Sequence, residues 1–182
     1  MNWNQYLFIL LLALTWGCNS SSSSDKEKAL LQEELNQLQS QLAEAKDVKK
    51  DLSAAKTLIE KSQIFATQYT QDTLAPVYLF RAADVARGIG EHKLAVDLWG
   101  EVMTKFPDFR RTPDALFLQG FTSDKDLQDK ALAQRYYMEF LDKYPGHEFV
   151  EDVQLLLQYI EQDKSPEQLV KEFQESQKQN AQ

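Results

Sequence analysis

The side chains with which this chain could do chemistry are two histidines, one cysteine and a short loop of aspartates, and none stands in a catalytic spacing. His92 lies just after Gly90 in a turn and His147 just after Pro145, and neither has a second metal ligand or a nucleophile at the spacing a metal site or a catalytic triad needs. Asp124, Asp126 and Asp129 crowd one segment. They lack the central glycine and closing glutamate of a calcium loop of about twelve residues. Gly88-Ile89-Gly90 has no strand before it, so it does not read as a phosphate cradle. The single cysteine, Cys18, rules out an intramolecular disulfide and a four-thiolate zinc site. The residues therefore predict a protein that is not an enzyme and needs no cofactor or metal.

What recurs instead is an architecture. An aromatic followed by a helix-stopping residue appears at Tyr69-Thr70, Phe106-Pro107 and Tyr144-Pro145, spaced by 37 and then 38 positions. After the first two stops the same types return: Pro76, Leu79, Phe80 and Ala83 answer Pro113, Leu116, Phe117 and Gly120. A period of this size marks stacked helical pairs, an all-α class. Asp51 or Ser53 can cap a helix to about Tyr69. Residues of about 75–88 and 91–106 form the next pair, reversed through Gly88-Ile89-Gly90.

This pattern resembles the tetratricopeptide repeat family, in which a small residue, an alanine, an aromatic and a proline follow at fixed intervals. Ala83, Ala95, Trp99 and Pro107 fit them in one repeat, and Gly120, Ala133, Tyr137 and Pro145 in the next, where the loop from Ser123 to Asp129 holds one extra residue. Leu79 and Leu116 replace the family's frequent tryptophan. The resemblance implies that positions two, five, nine and twelve of each motif line a concave face that binds proteins. Those positions are Val77, Phe80, Asp84 and Arg87, then Asp114, Phe117, Phe121 and Asp124. Read from the residues alone, Phe80 and Phe117 serve equally well as core between neighbouring pairs. Before Thr70 only a second helix is legible, and Glu148 to Ile160 supplies only a first one. Ser165-Pro166 then starts a helix to about Gln177, polar apart from Leu169, Val170 and Phe173, which suits a terminal cap.

The N-terminal third reads differently. Tyr6 to Trp16 is almost wholly apolar and too short to span a hydrocarbon core that needs roughly 20 helical residues. Gly17 and Cys18 follow, then Asn19 and five serines. This resembles a bacterial lipoprotein signal with lipidation at Cys18, although Thr15 stands where such signals usually carry leucine. An uncleaved anchor and a secreted chain with a chance cysteine are the other readings. Next, Leu31, Leu35, Leu38, Leu42 and Ala45 follow a heptad spacing that fades where Lys49 would continue it. The seam either zips copies into an oligomer through residues 31–45 or lies against the chain's own repeats.

These readings divide the chain into a signal peptide (1–17), a lipidated cysteine with a serine tether (18–25), a helical stalk (26–50), a repeat domain (51–178) and a disordered tail (179–182). The net charge of −8 and the absence of any basic run exclude nucleic acid as a partner. The combination of anchor, coil and repeats looks like the Tol-Pal-associated coordinator and the repeat lipoprotein of the outer-membrane β-barrel assembly machinery. It predicts an adaptor for envelope proteins, at the outer membrane facing the periplasm. The competing expectation is an oligomeric spacer with no groove ligand.

Overall fold

The computed structural model describes residues 20–45 and 48–162. They form α1 (Ser20–Glu44), a short 3₁₀ turn (Val48–Asp51), α2 (Leu52–Gln68), α3 (Ala75–Gly88), α4 (His92–Lys105), α5 (Thr112–Lys125), α6 (Lys130–Lys143) and α7 (Val150–Gln162). Each helix packs on the next, giving a solenoid of helical hairpins. Cys18, the apolar leader and the expected helix after Ser165 lie outside the described residues.

The repeated aromatic acquires a physical reason here. Tyr69, Phe106 and Tyr144 are the C-caps of α2, α4 and α6, and their N–H groups donate to Phe65, Val102 and Phe140 carbonyls at 2.9, 2.9 and 2.8 Å. Each cap carbonyl then accepts from the residue three further on, at Asp72, Phe109 and His147. Those residues in turn accept from Ala75, Thr112 and Val150, the first residues of the next helices. The same chain of bonds thus satisfies the backbone at three junctions and aims each new helix alike.

Reversal within a hairpin uses a left-handed residue. Gly90 has φ 90°, and Gln128 occupies the matching place in the next hairpin at φ 55°. Asp51 caps α2 by accepting from Ala54 N–H at 3.2 Å, and Asp129 caps α6 by accepting from Leu132 N–H at 2.9 Å. Where α5 crosses α6, a Cβ on Gly120 would sit 2.6 Å from the ring of Tyr137, itself fully buried. Only glycine allows that approach.

The stalk turns out to be part of the solenoid. Leu35 and Leu42 are 0% and 5% exposed, with Leu31 and Leu38 partly buried against the same cluster as Leu58, Phe65 and Tyr78. Polar contacts reinforce the seam: Tyr78 donates to Asn36 at 3.1 Å, Lys61 pairs with Glu34 at 2.8 Å, and Lys28 pairs with Asp72. So α1 is the missing first helix for α2, and its leucine face meets its own chain rather than a second copy. The helix also begins at Ser20, so the serines expected as a flexible tether form its first turns. Serine's helix propensity is only modestly unfavourable, and a helix once nucleated extends through such residues.

Leu35→Ala is expected to cost about 2–5 kcal/mol in chemical denaturation, the usual range for a buried leucine; a change near zero would mean that α1 stands free. Gly120→Val should destabilise by about 1–3 kcal/mol through overpacking, read in the same assay.

Candidate functional site

Side-chain contacts link the first helices of successive hairpins: Arg81 to Gln39 joins α3 to α1, Arg87 over Phe121 joins α3 to α5, and Lys125 over Tyr159 joins α5 to α7. Between α1 and α3 the face these helices form opens into a groove of about 660 Å³. Leu42, Ala43, Leu58 and Val85 make an apolar floor. Asn36, Gln39 and Ser40 stand on the α1 side, and Arg81 and Asp84 on the α3 side. The Arg81 guanidinium donates to Gln39 Oε1 at 2.5 Å, which ties the two walls together, while the Gln39 amide nitrogen is buried without a hydrogen-bond partner.

Asp84 is the acid of this groove. Its side chain reaches solvent, yet the surrounding walls hydrate the carboxyl poorly and push its pKa up to about 6. Arg111 opposes that shift most strongly, followed by the Trp99 indole and by Arg87 and Arg81. The Trp99 N–H is buried and lies near the carboxyl without the geometry of a full hydrogen bond.

The second part of the face is aromatic and cationic. Arg87 pairs with Asp126 at 2.6 Å and lies 5.1 Å from the ring of Phe121. Phe121 stacks on Phe117 at 6.0 Å, and Phe117 meets Phe149 at 4.8 Å. Arg111 pairs with Asp114 at 2.8 Å, and His147 Nε2 stands 3.9 Å from the same aspartate. His92 Nδ1 is 3.8 Å from Asp126. Both histidines thus sit beside carboxylates already held by an arginine. Among the described residues no group of three or more His, Cys, Asp or Glu converges on a metal position.

The eight expected groove residues divide. Asp84 is exposed, and Val77, Arg87, Asp114, Phe117 and Phe121 are half-buried along the face. Phe80 is 1% exposed, enclosed by Trp99 and Phe109 and covered by the Arg111 guanidinium 3.8 Å above its ring. It is core, because Phe109 from the next junction closes over it. Asp124 is 6% exposed and paired with Lys125, so it too offers little surface.

Sequence reading missed Asn36, Gln39, Ser40 and Arg81. The first three were hidden because α1 read as a stalk. A signal was present: α2 needed a first helix, and the leucines of α1 were the nearest face that could serve.

An NMR titration of the Asp84 carboxyl should show a midpoint near 6, well above an ordinary aspartate. Removing the largest opposing charge with Arg111→Gln should raise it further; a midpoint near 4 in the parent chain would mean that the groove hydrates it freely.

A tetratricopeptide repeat family model matches residues 114–147, which span α5, α6 and the turn after them. That is one hairpin of the solenoid, and stacked repeats of this kind create extended surfaces used for binding other proteins. No curated protein matches the chain.

Proposed function

We propose that this chain is a non-enzymatic adaptor of the bacterial cell envelope, tethered through a lipid on Cys18, that holds a segment of another envelope protein against its concave face. The observation that carries this reading is the open groove between α1 and α3. An apolar floor flanked by Arg81, Asp84 and the exposed amide of Asn36 offers burial for an apolar anchor and hydrogen bonds to orient it. The half-buried Phe117, Phe121 and Phe149 extend the same face with apolar surface.

The adaptor reading is favoured over an oligomeric spacer by the use made of α1. The leucines that would zip two copies together are covered by α2 and α3, so an oligomer through residues 31–45 would first have to unpack the first hairpin. No described helix is long and apolar enough to cross a membrane, so attachment to a bilayer would fall to the N-terminal segment.

A photo-crosslinking amino acid in place of Arg81, exposed to light in intact cells, should yield one dominant envelope protein by mass spectrometry. Crosslinks to further copies of the chain alone would instead support the spacer. Cys18→Ala should move the protein from the membrane fraction to the soluble one; retention in the membrane would indicate an uncleaved apolar anchor.

A further inference from the structure

The groove between α1 and α3 is unequal in what it leaves unpaired. On α1, Asn36 Oδ1 accepts from the Tyr78 hydroxyl and Gln39 Oε1 accepts from Arg81, so both amide oxygens are taken up within the protein. What Asn36 still offers is its N–H groups, with exposed Ser40 one turn further along the same wall. On α3, Arg81 is exposed and pairs with no carboxylate among the described residues. Its neighbours differ, since Arg87 is compensated by Asp126 and Arg111 by Asp114. The walls therefore carry donors and one uncompensated cation over the floor of Leu42, Leu58 and Val85.

Such a surface recognises a negatively charged acceptor set beside an apolar group. Asp84 alone stands against this, three residues after Arg81 on the same helix and likewise exposed. The charged groups that face Asp84 are Arg81 and Arg87 from α3 and Arg111 at the N-cap of α5, with the Trp99 indole from α4. The groove residues of α1 and α2 are all uncharged. Even so, dehydration outweighs the three guanidinium groups and pushes the carboxyl up to about 6. A second carboxylate beside it raises it further, because like charges disfavour each other's ionisation. A proton taken up from water then turns the one repelling group into a hydrogen-bond donor.

We infer that the groove takes an acidic side chain of a partner segment: its carboxylate lies on Arg81 and the Asn36 amide, its apolar neighbour covers Leu42, Leu58 and Val85, and Asp84 meets it as a neutral carboxyl. This rests on the adaptor reading and gives the partner a chemistry. The α1 wall runs from Asn36 to Ala43, about 10 Å of helix, which suits a segment of about two helical turns. Docking is coupled to proton uptake and strengthens as the surroundings acidify.

The test measures fluorescence anisotropy of short labelled peptides of leucine and alanine, carrying Glu, Gln or Lys at one central position, against the full-length chain. The Glu peptide should bind tightest, and its affinity should fall by about tenfold from pH 5.5 to pH 7.5 as Asp84 loses its proton. Asp84→Asn should hold the affinity constant across that interval, and Arg81→Gln should lower it by about tenfold at pH 5.5. A preference for the Lys peptide, or an affinity that rises with pH, would overturn the inference and leave the adaptor reading in place. If no peptide binds, or if all bind the Arg81→Gln, Asp84→Asn double variant as well as the parent, the groove is not the docking site and both readings fall.

Discussion

The structure depends on one recurring constraint: after each return helix the chain must stop, leave no buried backbone group unpaired and launch the next helix. The aromatic C-cap solves this three times with one chain of hydrogen bonds, from Tyr69, Phe106 and Tyr144 through Asp72, Phe109 and His147 to the first residues of α3, α5 and α7. The same bonds recur at all three junctions, so each new helix starts from an equivalent backbone. Repeated turns of this kind stack one hairpin on the next.

Packing within a hairpin follows from that geometry. Small residues sit at the crossings, Ala83 in one hairpin and Gly120 in another, and large rings fill the space beside them, Trp99 and Tyr137. The exchange is specific: the ring of Tyr137 occupies the volume a Cβ on Gly120 would need. The first hairpin obeys the same scheme with leucines from α1. Most of its free energy comes from tertiary burial of the apolar face, as helical stability in proteins generally does.

The face formed by the first helices combines two chemistries because neighbouring helices contribute opposite kinds of residue. Toward α1 it is amide-rich over an aliphatic floor, and toward α5 and α7 it is aromatic with guanidinium groups laid across the rings. Arg87 and Arg111 are each already paired with an aspartate, Asp126 and Asp114, so their positive charge is compensated within the protein. Asp84 stands apart, with a carboxyl held between burial, which disfavours its charge, and three arginines, which favour it.

The sequence alone determined the period, the all-helical class, the stops at Tyr69, Phe106 and Tyr144 and the small residues at the crossings, because each is dictated by local backbone chemistry or by a repeat visible against itself. The resemblance to the repeat family implied that Asp84, Phe117 and Phe121 face outward, and these three are partly or fully exposed. Only the tertiary structure decided that Phe80 is core, because its cover comes from Phe109 in another junction. The fate of the leucine seam was likewise undecidable from spacing: a heptad pattern states that one face must be buried and is silent about what buries it. Three-dimensional proximity of α1 to α2 and α3 answered that, and in doing so brought Asn36, Gln39 and Ser40 to a groove more than forty positions away from Arg81 and Asp84.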